Sequence, residues 1–451
     1  MVRGLRLELN SRLRLSPPQV LVVGFGALIL IGTILLTLPI ATASGKPTTL
    51  VDALFTATSA VCITGLVVVD TATYWSRFGQ VVILALFQVG GIGFMTLSSL
   101  AAILLGRRIF LHERMVIKEA LNQVSLEGVV RLTRAVVVMT VLSEGAGALL
   151  LTLRWWNSYS PGEAIFRAVF HAVSAFSSAG FDLSGDYRSL TAFRSDFVVN
   201  LVLSTLFILG GLGFAVIVEC LNWHRGHPLS LHSRLVLKTT AILIVFGTLF
   251  ILLVEGRNPA TLADASWKTK VLASYFQAVT PRTAGFNTLP ISALRPATLL
   301  LIMLFMFIGA SPGGTGGGIK TTTFVTLLLT VMATVRGKER TEVGGRCIPA
   351  WQVAKSMAIA FISLCLILGA TTVLLLSEGK EFLPTLFEVV SAFGTVGLTM
   401  GLTTELSVLG RLVITAVMFA GRVGPLTMVL ALAHQQYPKS VRFPEESIIV
   451  G

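Results

Sequence analysis

Apolar runs long enough to cross a bilayer recur along this chain, among them residues 20–41, 198–218 and 358–376, with 241–254 and its flanks a fourth. A run of about 18 or more such residues reads as a spanning helix. It constrains the fold strongly, because backbone polar groups inside a bilayer must be satisfied internally. Only 13% of the 451 residues are charged, too little to cover a water-soluble surface that normally holds roughly 25%. The formal charge of +13 would suggest nucleic acid in a soluble chain. Here the basic residues sit between apolar runs, so no nucleic-acid partner is expected. Cys62, Cys220, Cys347 and Cys365 show no metal spacing and no CxxC.

The hydropathy predicts eight spans, at about 18–41, 80–105, 130–153, 197–222, 235–255, 297–335, 353–377 and 408–433. The sixth is too long for one simple span and is interrupted by glycines. With both termini inside, the inner segments carry more than twice the Lys and Arg density of the outer ones, as cytoplasmic loops should. The basic N-terminus leads into an apolar stretch too long for a signal-peptide core. The inner-loop cations Arg107, Arg108, Arg114, Lys118, Arg336, Lys338 and Arg340 set this topology and suit acidic lipid or a regulatory subunit.

Each outer segment holds the same odd stretch: a short apolar piece opened by Phe55, Phe170, Phe276 or Phe387, then small and hydroxyl residues, then Gly65, Gly180, Gly285 or Gly397. The third copy is one residue shorter between its Phe and its Gly. A second motif follows each glycine, as Phe87-Gln-Val-Gly90-Gly91-Ile-Gly93, Phe207-Ile-Leu-Gly210-Gly211-Leu-Gly213, Phe307-Ile-Gly309 and Phe419-Ala-Gly421-Arg422-Val-Gly424. Two motifs in the same order four times define a unit of span, half-helix, glycine loop, span. The expected fold is an all-α polytopic membrane protein, four such units around one central pore, like a potassium channel. The expected divisions are an inner tail 1–17, repeats over 18–105, 106–222, 223–335 and 336–433, and a second inner tail 434–451.

The half-helices are too short to cross, so each must dip into the membrane and return. Irregular backbone is tolerated at that depth only inside protein or around a water-filled cavity. Four loops about one axis meet that condition, and their carbonyls can replace a cation's hydration shell. Glycine reaches positive φ without steric cost. The C-terminal ends of the half-helices bring partial negative charge to the loops. The plain alternative is that these glycines only let helices pack. Close packing is the expected role of Gly90, Gly91, Gly210 and Gly211.

The loops Thr-Gly-Leu, Ala-Gly-Phe, Arg-Thr-Ala-Gly-Phe-Asn-Thr and Thr-Val-Gly-Leu resemble the Trk/Ktr/HKT superfamily of potassium transporters over nearly the whole chain. Within it the chain is most similar to the membrane subunits of bacterial Ktr systems. The resemblance implies a potassium filter of Cys62, Ile63, Thr64 and Gly65; Ser177, Ser178, Ala179 and Gly180; Arg282, Thr283, Ala284 and Gly285; and Gly394, Thr395, Val396 and Gly397. It also implies a homodimer with one pore per subunit, in the bacterial cytoplasmic membrane. A cytoplasmic ring of nucleotide-binding regulatory subunits would bind the nucleotide, and many such systems are sodium-dependent. Each loop has one shared glycine, fewer than a channel's Thr-Val-Gly-Tyr-Gly, so the filter should hold fewer defined ion sites.

Between residues 311 and 323 the sixth span reads Ser-Pro-Gly-Gly-Thr-Gly-Gly-Gly-Ile-Lys-Thr-Thr-Thr. Gly313, Gly314, Gly316, Gly317 and Gly318, with Thr315 among them, cannot hold a helix, at about 1 kcal/mol per glycine against alanine. This is not a phosphate-binding P-loop, because Ile319 separates Lys320 from the last glycine. A hinge is the plain reading; a loop lying across the pore as a gate is the sharper one, and the resemblance supports it. Arg422, at the middle of the last span, would face that loop and raise a barrier to cations. An ion pair with Glu144 is its structural alternative. Asp52, Asp70 and Asp182 at the outer mouth could concentrate cations or cap helices, and Glu144, Glu219 and Glu388 could be packing partners. No enzyme motif appears in the spans. A sodium- or proton-coupled transporter with alternating access would require paired acids at mid-membrane and inverted repeats, and neither is visible.

Overall fold

The computed structural model describes residues 16–93, 115, 129–223 and 226–432. Arg107, Arg108, Arg114 and Lys118, nearly all of both tails, and residues 94–105 of the second span lie outside the described residues. The first repeat is α1 (Pro17–Thr37), α2 (Leu50–Val61) and α3 (Arg77–Ile92). The second is α4 (Val129–Trp155), α5 (Pro161–Phe176), α6 (Phe197–Leu212) and α7 (Phe214–Trp223). The third is α8 (Leu231–Glu255), α9 (Trp267–Val279), α10 (Pro296–Ile308) and α11 (Thr321–Val335). A hairpin of β1 (Glu342–Val343) and β2 (Arg346–Cys347) leads to the fourth: α12 (Ala350–Glu378), α13 (Phe382–Gly394), α14 (Val408–Val423) and α15 (Pro425–Leu432).

The long helices α1, α4, α8 and α12 are apolar over their length and mostly unburied within the protein. Leu30, Ile34, Leu142, Leu149, Leu253 and Leu376 point outward from them, as a lipid-facing belt requires. Thr49 caps α2 by accepting from Asp52 N (3.2 Å), and Ser160 precedes Pro161 at the first position of α5, where a missing N–H costs nothing. The half-helices have 12 to 16 residues, about 18–24 Å, short of a bilayer core of about 30 Å.

The repeats close into a ring. The inner helix of each packs on the half-helix of the next: α3 on α5, α6 on α9, α10 on α13, and α14 back on α2. Phe87 meets Phe170 edge-to-face across the first boundary (5.4 Å between centroids), and Phe207 meets Phe276 across the second (5.5 Å). The last boundary is locked by an ion pair between Arg411 on α14 and Asp52 on α2. Asp52 is therefore in the first turn of its half-helix, with Thr49 as the cap.

Two spans expected to be continuous are broken. The inner helices end at Gly93, Gly213 and Gly424, with φ of 86°, 94° and 93°. After the last two the chain bends by 100° and 94°. Gly309 (φ 69°) ends α10 in the same way. The third repeat's Gly309 therefore matches these terminating glycines, not Gly90 or Gly210 as the Phe307 alignment implied.

Glu255 at the end of α8 is fully buried. It accepts from Arg295 N (2.9 Å) and Thr298 Oγ1 (2.6 Å) at the start of α10, and from Asn258 Nδ2 (2.6 Å) and Thr261 Oγ1 (2.8 Å). Glu255→Ala should destabilise the protein by roughly 3 kcal/mol, since several buried donors lose their acceptor together. Thermal unfolding in detergent checks this; an unchanged midpoint would mean the carboxylate does not hold the two helices.

Candidate ion pathway

The four glycine loops share one backbone plan. Gly65, Gly180, Gly285 and Gly397 have φ of 83°, 72°, 79° and 89°. Two residues earlier, Ile63, Ser178, Thr283 and Thr395 also have positive φ, of 54°, 59°, 73° and 49°. An extended strand alternates its carbonyls between two sides; placing every second residue at positive φ turns successive carbonyls to one side. For non-glycine residues this costs roughly 1–2 kcal/mol each, and such strain persists only where surrounding structure enforces it. The enforcing bonds run back to the half-helix: Thr64 N to Ser59 O (2.7 Å), Ala179 N to Ser174 O (2.8 Å) and Val396 N to Ser391 O (2.9 Å). In the third loop Ala284 N reaches Thr280 O (2.9 Å), four residues back instead of five. The missing residue of that copy is absorbed here, and the register from Thr283 to Gly285 matches the others.

The glycines touch in cyclic order. A Cβ on Gly65 would lie 2.5 Å from Ala179 O, and one on Gly180 3.0 Å from Gly285 Cα. A Cβ on Gly285 would lie 2.5 Å from Val396 O, and one on Gly397 would strike Thr64 O. Four half-helix C-termini converge on this ring, each placing partial negative charge there. Cys62 and Ser177 are the C-caps of α2 and α5, and Gly394 ends α13. Arg282 is buried, and among the described residues its Nε has no hydrogen-bond partner.

The glycine-rich segment lies against the ring, at the end where the half-helices finish. Ser311 N donates to Gly211 O (2.9 Å), Thr315 N to Gly210 O (2.9 Å) and Phe214 N to Gly313 O (3.0 Å), tying it to the second inner helix. Thr315 Oγ1 is 2.9 Å from Ser178 Oγ. A Cβ on Gly316 or Gly317 would collide with the Thr283 or Thr395 hydroxyl, so nothing larger than glycine fits. Two cations hold three consecutive carbonyls from the other side. Lys320 Nζ donates to Gly316 O (2.5 Å) and Gly317 O (3.2 Å). Arg422 donates to Thr315 O and, through Nη2, to Gly90 O (2.5 Å). Gly313, Gly314 and Gly318 line a cavity beneath the segment with Gly93, Lys320 and Arg422.

Arg422 does not pair with Glu144. Glu144 accepts from Gln88 Nε2 (2.9 Å), and Arg422 binds backbone oxygens. Arg422 occupies the place of Gly91 and Gly211, two residues before the glycine that ends its inner helix. Gly90, Gly210 and Gly421 pack on Val61, Phe176 and Phe393 O, as their expected close-packing role requires for the first two. At the other end of the ring, Asp70 accepts from Tyr187 N (3.1 Å) and Asp182 from Ser184 N (2.8 Å). Burial raises the Asp182 carboxyl above its ordinary value, against the opposing Ser184 N–H. Two roles are not anticipated by the sequence: Thr283 and Thr395, expected as filter residues, also form the floor against which the segment rests, and Glu388, expected as a packing partner, is fully buried behind the fourth loop with hydroxyl partners. Glu388 leaves one trace in the sequence, as the polar residue that follows the half-helix Phe in every repeat.

These features define a polytopic membrane protein whose four repeats enclose one axial pathway. The chain belongs to the TrkH family of cation transport proteins, which its residues 12–441 match. It is a family of transporters and not of enzymes. The chain is 44% identical to the Ktr system potassium uptake protein B of Bacillus subtilis, over 97% of each chain. It is 41% identical to the potassium/sodium uptake protein NtpJ of Enterococcus hirae, over 99% of each. Its fold is that of the potassium transporter TrkH from Vibrio parahaemolyticus, with a TM-score of 0.70, 19% identity and coverage of 91% of this chain and 84% of the other.

Proposed function

We propose that this chain takes up potassium across a bacterial cytoplasmic membrane through the ring of four loops, with both termini cytoplasmic. The observation that carries this reading is the cyclic contact of Gly65, Gly180, Gly285 and Gly397, with alternate residues at positive φ. Carbonyls of the residues from Cys62 to Gly65, Ser177 to Gly180, Arg282 to Gly285 and Gly394 to Gly397 replace the ion's hydration shell, and a weakly hydrated cation is the easiest to strip. The two relatives named above, potassium and potassium/sodium uptake proteins, support the choice of ion and make sodium dependence a natural expectation. The repeats run over 18–105, 106–222, 223–335 and 336–433, between the two tails.

The segment from Gly313 to Gly318 with Lys320 and Arg422 acts as the gate. Two positive charges and a closed loop at the end of the ring oppose cation passage, and the loop must move for flux. A cytoplasmic nucleotide-binding ring moves it, and the transporter works as a homodimer; the Bacillus subtilis relative's place in a Ktr system supports the former. Uptake of potassium by proteoliposomes, with sodium present and absent, tests the reading. The expected result is saturable potassium entry that sodium stimulates. Equal entry of both ions, or none driven by a potassium gradient, would refute it.

A further inference from the structure

The position one residue after each half-helix Phe is buried and polar in all four repeats: Thr56, His171, Gln277 and Glu388, none more than 2% exposed. Only the fourth is an acid. Glu388 Oε2 accepts from Thr399 Oγ1 at 2.7 Å, and Oε1 accepts from Thr403 Oγ1. Thr399 follows Gly397 by two residues, and its hydroxyl accepts from Gly401 N (2.9 Å). The carboxylate thus ties the half-helix to the segment leaving the fourth glycine, one side chain back from the pathway.

The other repeats differ. His171 makes a comparable tie, with Leu183 N donating to Nε2 (3.4 Å) while Nδ1 donates to Arg167 O (2.7 Å). That hydrogen-bond pattern is a neutral imidazole's. Among the described residues, Gln277 and Thr56 have no partner for their side-chain polar atoms. Glu388 receives a hydroxyl donor on each oxygen, the arrangement that suits an ionised acceptor. Among the described residues it joins no ion pair. A carboxylate sealed inside protein is strongly disfavoured without a counter-charge.

Resting on the potassium pathway above, we propose that Glu388 is a specificity-determining residue: it holds Thr399 and Thr403 in place and supplies the fixed negative charge that a cation in the ring balances. The single acid makes the ring electrostatically lopsided toward the fourth repeat.

The test uses the full-length protein in proteoliposomes, reading the potassium dependence of uptake and the potassium-to-sodium ratio. Glu388→Gln keeps the shape and removes the charge. It should raise the half-saturating potassium concentration about tenfold, the scale of a charged hydrogen-bond pair lost, and Glu388→Asp should recover part of this. Thr399→Val and Thr403→Val keep the charge and loosen the loop, so each should lower the potassium-to-sodium ratio several-fold. A monodisperse Glu388→Gln with the parent's half-saturation and ratio overturns the proposal. If that variant does not fold, parental ratios in both valine variants overturn it equally. Gly397→Ser run in parallel separates the two levels. Selectivity lost there but intact in all Glu388, Thr399 and Thr403 variants rejects only Glu388's role, whereas selectivity intact in Gly397→Ser rejects the pathway itself.

Discussion

Gly397→Ser should collapse the discrimination between potassium and sodium while leaving the protein folded. Gly397 sits at φ 89°, and a Cβ there would strike Thr64 O of the neighbouring loop. The backbone strain alone is roughly 1–2 kcal/mol for an L-residue, about a tenfold effect on an equilibrium constant. The clash adds to it and displaces a carbonyl of the first loop as well as the fourth. Competitive uptake of the two ions into proteoliposomes should show the ratio falling at least about tenfold. A parental ratio would mean the carbonyls of this ring do not select the ion.

Arg422→Ala should open the pathway. Arg422 joins Thr315 O of the glycine-rich segment to Gly90 O of the first inner helix. Hydrogen bonds from a charged donor contribute roughly 1.5–3 kcal/mol each. Losing both frees the segment on one side and removes a positive charge from the pathway. Uptake by the chain alone should then rise about tenfold or more. Arg422→Lys should fall between, because one ammonium cannot span two carbonyls as a planar guanidinium does. Unchanged flux in Arg422→Ala would remove the gate assignment. Lys320, which still holds Gly316 O and Gly317 O, sets how far the loop relaxes.

What could be read from the chain before its fold was known follows from which residues leave a one-letter trace. Gly65, Gly180, Gly285 and Gly397 are visible because the backbone there excludes other residues, and the half-helices are visible because their apolar length is wrong for a span. The matching positive φ at Ile63, Ser178, Thr283 and Thr395 leaves no trace, since ring contacts enforce it against local preference. The breaks at Gly213 and Gly424 were hidden because apolar residues continue on both sides, as in an unbroken span. The phenylalanines misled at Phe307, where the third repeat carries Met303 six residues before its break, the place held by Phe87 and Phe207. Arg411 and Asp52 lie 359 positions apart, and no local pattern joins them. Glu388 looked like a packing residue because its partners come from the segment after the loop, which only the fold brings back against the half-helix.

The most direct test of the central claim is to locate the ion. Crystals of the full-length protein grown with thallium or rubidium in place of potassium should give anomalous density on the axis of the ring, among the carbonyls of the four glycine loops and on the Thr283 and Thr395 side of Gly285 and Gly397. Density only outside that ring, or none within it at ion concentrations that support uptake, would contradict the account.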